Sequence, residues 1–155
     1  MTRPKAVMHK VKVAVSKDAG DTPAFAPSSD LWSEEHGHFA FDRGDHHMGN
    51  HDYHLVEFVL DDQTGEGLAF PSVPHDAMWV AKVEGGQAKC PDASTQSNYD
   101  VVEPICTCDD GQRLIVRNDN PRKEDWSFTL NLKNKADGRT LSWDPIIKNG
   151  GTGGG

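Results

Sequence analysis

Residues 126–133 read Trp-Ser-Phe-Thr-Leu-Asn-Leu-Lys, large apolar side chains alternating without a fault with small or polar ones. A repeat of two is the repeat of a strand, because successive side chains point to opposite faces. The pattern predicts an antiparallel strand with its Trp126, Phe128, Leu130 and Leu132 face buried and its Ser127, Thr129, Asn131 and Lys133 face in water.

Other segments share that grammar. Val11, Val13 and Val15 alternate with Lys12 and Ala14, and Phe39 and Phe41 suggest a short strand. Residues 53–60 carry bulk on both faces, which predicts a central strand covered on both sides. Residues 77–83, 105–108, 114–116 and 140–147 complete a set of seven or eight short strands, the last interrupted by Asp144-Pro145. Asp109-Asp110-Gly111 and Ala136-Asp137-Gly138 are turns of the kind that join neighbouring strands. Residues 16–37, rich in Asp, Ser, Pro and Gly, read as a long irregular connection. No window sustains a helical repeat. The expected fold is all-β, an antiparallel Greek-key sandwich, in one domain over residues 1–148 with a Gly-rich disordered tail over 149–155.

Composition narrows the partners. The 155 residues carry 16 Lys and Arg against 24 Asp and Glu, a net charge of −8, and no basic cluster interrupts that balance. Such a surface repels phosphate backbones, so nucleic acid is not an expected partner. No apolar run is long enough for a membrane helix, and Met1 to Lys10 lacks the apolar core of a secretory signal. Three cysteines cannot all pair within one chain, which suits a reducing compartment, so a cytoplasmic location is expected.

The densest chemistry lies in one stretch. Six of the eight histidines, His36, His38, His46, His47, His51 and His54, fall within nineteen positions, interspersed with Asp42, Asp45 and Asp52. Imidazole and carboxylate suit zinc or another divalent transition metal, so these six are the candidate metal ligands. Their spacing matches no established ligand pattern, and the competing reading is a solvated polar loop. Within the stretch, Asp42-Arg43-Gly44-Asp45 and Gly49-Asn50-His51-Asp52 resemble pieces of the calcineurin-type metallophosphoesterase signature, which would imply a metal-dependent hydrolase. The leading Asp-x-His of that signature is missing, the fragments are nearly contiguous, and the helices of its layered fold are absent.

Cys106-x-Cys108 places two sulfurs on the same side of a strand, and with Cys90 could make a thiolate site or redox pair. No neighbouring basic residue in sequence would activate them, so idle thiols are expected. Trp126 and Trp143 lie on strand patterns and read as core; Trp32, between Asp30 and Glu34, reads as exposed or at an interface.

Glu103-Pro104-Ile105 and the terminal Trp143-Asp144-Pro145-Ile146-Ile147-Lys148-Asn149, with the residue 126–132 strand between them, resemble the DP-EP family of small bacterial proteins. The resemblance spans roughly residues 99–149 and implies an immunoglobulin-like β-sandwich. It supplies no reaction, cofactor or catalytic residue. Physically, each proline fixes φ and extends the acidic residue before it, so Glu103 and Asp144 are expected to accept backbone hydrogen bonds at strand ends.

The sequence thus predicts a non-enzymatic binding or self-assembling module without a resident cofactor, its partner another protein or a second copy in a homo-oligomer. The alternative is a metal-binding protein, in one form a metal-dependent hydrolase, built on the histidine stretch.

Overall fold

The structure is a computed structural model and describes residues 3–49, 51–84 and 90–151. It is nearly all strand: β1 (Ala6–Lys17), β2 (Pro23–Ser28), β3 (Trp32–Ser33), β4 (His38–Phe41), β5 (Tyr53–Asp62), β6 (Leu68–Ala69), β7 (Met78–Lys82), β8 (Val102–Cys108), β9 (Arg113–Asn118), β10 (Lys123–Asn134), β11 (Thr140–Trp143) and β12 (Ile146–Gly150). A single turn of helix, α1 (Pro74–Ala77), and two short 3-10 turns, Gly44–His46 and Asp109–Gly111, complete the described elements.

The first sheet runs β2-β1-β5-β9-β8; the second is built on β10, with β12, β4 and β3 extending it. Both sheets are mixed rather than purely antiparallel. β1 runs parallel to β5, and β4 parallel to β12. This corrects the antiparallel expectation: alternation identifies a strand, but its direction against a neighbour is set by the connection, here by the long path from β1 through the other sheet back to β5. Residues 16–37 also differ from the expected irregular connection, since they contain β2 and β3.

β10 shows why its sequence is so regular. Trp126 has Lys82 on one side and Ile147 on the other, and Leu130 has Met78 and Trp143. β11 and β12 therefore lie along the same side of β10, in one register from Lys133 opposite Thr140 to Lys123 opposite Gly150. Asp144-Pro145 interrupts the strand without shifting it. The Phe128 N–H still donates to the Pro145 carbonyl at 3.1 Å.

The polar face of β10 was expected in water, yet Ser127, Thr129 and Asn131 are as buried as the apolar face. Side-chain hydrogen bonds make that tolerable, since burial of a polar group is costly only when its partners are lost. Ser127 Oγ donates to the Ala81 carbonyl at 3.3 Å, and Asn131 Nδ2 to the Asp76 carbonyl at 3.0 Å. Thr129 Oγ1 lies 2.6 Å from both the Pro91 carbonyl and Asp144 Oδ1. Among the described residues, Asp144 thus accepts a side-chain hydroxyl rather than a backbone N–H, and Glu103 meets His75 at 3.3 Å instead.

One core joins the two sheets. Val11, Val13, Val15, Val56, Phe58, Leu114 and Val116 from the first meet Phe39, Phe41, Val80, Trp126, Phe128, Leu130, Leu132 and Ile147 from the second. Phe39 packs edge-on against Phe58 at 5.9 Å, and Phe25 stacks on Trp143 at 5.8 Å. Each such side chain, fully buried, contributes about 1.5–3 kcal/mol. Trp32 joins this layer half-buried, 4.8 Å from Phe39 and 5.7 Å from Trp143, rather than standing exposed. On β5, His54, Val56, Phe58 and Leu60 are fully buried while the opposite face is half-buried.

The last strand also reaches into the segment read as tail. Asn149 is buried in β12, and Gly151 is buried beyond it. A Cβ on Gly151 would stand 2.4 Å from the Arg122 carbonyl carbon, so only glycine fits there. Residues 152–155 lie outside the described residues.

Candidate functional site

The six histidines do not gather. His36 and His38 stack on each other with ring centroids 5.5 Å apart. His46 closes the 3-10 turn Gly44–His46, and His54 is wholly buried on β5. His47 takes a left-handed φ of 51° just after that turn and is exposed, as is His51.

Two of the six meet a histidine that clustering in sequence did not mark. His9 lies on β1, and the rings of His9 and His46 are 5.0 Å apart, those of His9 and His54 5.0 Å, and those of His46 and His54 5.9 Å. The signal for His9 was present: it continues the inward face of Val11, Val13 and Val15 by one step of two. The parallel pairing of β1 with β5, Val7 opposite His54 and His9 opposite Val56, then brings the two imidazoles together.

Hydrogen bonds define their protonation. Asn120 Oδ1 accepts the Gly151 N–H at 2.7 Å, which turns the Asn120 amide nitrogen toward His54 Nε2 at 3.3 Å. His54 Nε2 is then an acceptor, so its proton sits on Nδ1 and is donated to His9 Nε2 at 2.8 Å. A directed chain runs from Asn120 through His54 to His9. Burial, followed by the neighbouring His46, lowers the pKa of His9 from 6.5 to about 4. Burial, followed by His9, His46 and Arg43, lowers that of His54 to about 3. Both rings are neutral near pH 7. Phe41 packs against each, at 5.8 Å from His9 and 5.0 Å from His54.

The fragments that resemble a phosphoesterase signature form the frame around this pair. Arg43 is buried, and its guanidinium donates to the carbonyls of Asp52, Asp119 and Gly49. Asp52 accepts the Gly49 and Lys5 N–H groups, each at 2.7 Å, and the Gly49 bond leads the causes that hold its carboxyl below the usual range. These residues knit the turn before β5 to β1. Asn50 lies outside the described residues.

Above the imidazole pair opens a groove of about 990 Å³. Its floor includes His9, His46 and Phe41; Lys10, Lys123 and Lys148 stand among its walls with Asp30, Asp42 and Asp125. His38 also lines it, and its proton affinity is lowered by burial, then by Lys148 and His36. Lys148 and Asp125 face each other at 3.6 Å. Planar rings below and charges of both signs around them can hold a small polar molecule by stacking and paired ionic contacts.

Among the described residues, no group of three or more His, Cys, Asp or Glu side chains is placed to hold one metal ion. In the His9, His46 and His54 cluster the reason is visible: both ring nitrogens of His54 are committed to hydrogen bonds, so a metal would have to displace one of them. Cys90 lies apart from Cys106 and Cys108, beside Asp144. No protein-family model matches the chain, and no curated protein matches it at a significant level.

Proposed function

We propose that the protein is a non-enzymatic binding module whose ligand lies in the groove over His9, His46 and Phe41. The observation that carries this reading is the groove's composition: three ammonium and three carboxylate groups around a floor that includes the neutral, hydrogen-bonded His9 imidazole. A polyanion or polycation would meet as much repulsion as attraction there, whereas a small molecule bearing both charges meets complements to each. Free amino acids and simple dipeptides are the matching class.

Of the two arms of a binding or self-assembling module, the edge strands favour ligand binding. The edges of the first sheet are β2, with Pro23 and Pro27, and β8, with Pro104. Proline lacks the N–H that a pairing neighbour would need, so these edges disfavour edge-to-edge growth of that sheet. The DP-EP resemblance and its immunoglobulin-like Greek-key topology belong to the same reading, supported by two sheets sharing one core.

The test is a titration of isotopically labelled protein with free amino acids and dipeptides, one at a time, followed by backbone amide NMR shifts. Shifts confined to residues 8–10, 29–31, 40–42 and 148–150 are expected. Absence of saturable shifts throughout the series would refute the assignment.

A second reading, a metal-binding protein, draws on the convergence of the His9, His46 and His54 rings. With all three rings as ligands, it requires His54 to exchange one of its hydrogen bonds for a zinc ion. Zinc titration separates it from the first reading.

A further inference from the structure

The second half of β8 carries a feature unrelated to the groove. Val102 and Pro104 are buried, and a regular strand would send Cys106 and Cys108 inward after them. Pro104 stands opposite Val116, but Cys106 stands opposite Ile115, so Ile105 is an extra residue, a bulge. The bulge shifts the phase of the strand by one position, as bulges do when they re-aim a side chain. Thr107 now stands opposite the buried Leu114, and its hydroxyl donates to the Pro71 carbonyl at 2.8 Å. The cysteines turn outward, Cys106 exposed and Cys108 half-exposed.

Their sulfurs are 2.7 Å apart. That is under an ångström more than the disulfide bond length of about 2.0 Å. Two residues of strand separate Cα atoms by about 6.6 Å, inside the roughly 4.4–6.8 Å a disulfide spans. Closing the bond therefore needs the two sulfurs to draw together by less than an ångström. Arg113, opposite Cys108, is itself paired with Asp109 at 2.7 Å and Glu57 at 3.2 Å, and its pull on the Cys108 thiol ranks below the Cys106 contact and burial.

We propose that Cys106 and Cys108 form a reversible dithiol–disulfide site for low-molecular-mass disulfides. Cys106, the more exposed, loses its proton and attacks one sulfur of the incoming disulfide. The S–S bond breaks, and the leaving thiolate takes up a proton. Cys108 then loses its proton and attacks the Cys106 sulfur of the mixed disulfide, expelling the second thiolate, which is protonated in turn. Two protein thiols are oxidised to one disulfide, and one external disulfide is reduced to two thiols. Cys106 is the exposed thiol that meets the external disulfide, and Cys108, less exposed and 2.7 Å from it, is left the resolving step.

The experiment uses the full chain carrying Cys90→Ser, incubated with oxidised glutathione, alkylated with N-ethylmaleimide and weighed intact. The expected product has lost two hydrogens and both alkylation sites, and dithiothreitol restores both. In Cys90→Ser/Cys108→Ser protein, a glutathione adduct at Cys106 should instead persist. Accumulation of two glutathione adducts on the Cys90→Ser protein, or unchanged alkylation of both thiols, would overturn the proposal.

Discussion

Asn118 of β9 and Asn149 of β12 exchange both side-chain amides across the core, Nδ2 to Oδ1 at 2.8 Å in one direction and 3.0 Å in the other. Each strand belongs to a different sheet, so this pair fastens the two layers by polar contacts within a largely apolar core. The Asn118 oxygen also accepts the Asn120 N–H at 3.0 Å, and Asn120 in turn orients His54. The site beneath the groove is thus anchored to the join between the layers.

Asn149→Ala should cost about 1–3 kcal/mol of unfolding free energy, because it leaves the Asn118 amide without its partner in the core. The double variant with Asn118→Ala should cost less than the sum of the singles, since the second change removes the orphaned group. A urea-denaturation double-mutant cycle checks this; strict additivity would mean that the two amides do not act as a pair.

Stability should fall on mild acidification. In the unfolded chain His9 and His54 take up protons near the ordinary value of 6.5, but in the folded chain only near 4 and 3. Between those limits the unfolded state binds more protons, so the stabilisation is complete above about pH 6.5 and is lost progressively as pH falls toward 4. For fully buried His54 the slope approaches about 1.4 kcal/mol per pH unit, with a smaller share from half-buried His9. Urea midpoints at steps from about pH 7 to 4.5 measure it, above the range where carboxylates dominate. His9→Phe should flatten the curve.

Thr129→Val should destabilise by about 1–3 kcal/mol, whereas Thr129→Ser, which keeps the hydroxyl, should lose markedly less. The Val side chain nearly matches Thr in shape, so the difference isolates the hydroxyl shared between Pro91 and Asp144. Thermal melting of the two variants distinguishes this from a simple packing effect, which would make Val the milder change.

Gly111→Ala should be damaging even though Gly111 is in a turn. Its φ is 85°, and an added Cβ would lie 2.7 Å from both the Ala69 Cβ and the Phe70 carbonyl oxygen. The turn would have to move off β6, with a loss above the roughly 1 kcal/mol typical of a left-handed glycine in open space. Gly138→Ala offers the control, because its φ is 74° but nothing stands within reach of the new Cβ.

Sequence reading located most strands but not their environments. The apolar face of β10 follows directly from Trp126, Phe128, Leu130 and Leu132. The burial of Ser127, Thr129 and Asn131 does not, since their partners Ala81, Pro91, Asp144 and Asp76 come from distant parts of the chain. His9 was hidden for a similar reason: its partner His54 is 45 residues away, and only the parallel β1–β5 pairing joins them. The bulge at Ile105 is likewise silent in a pattern of single residues, because one extra position inverts the facing of everything after it. Mixed sheet direction is a property of connections, and alternation carries no record of it.

A neutral, directed Asn120–His54–His9 chain lies beneath the ligand groove and reaches its floor only at His9. Long-range proton–nitrogen NMR of the imidazoles near neutral pH, before and after one equivalent of zinc, tests it most directly. The expected spectrum shows His54 protonated at Nδ1 and accepting at Nε2, unchanged by zinc. Stoichiometric zinc binding with loss of that Nδ1 proton, or a charged His54 at neutral pH, would contradict it.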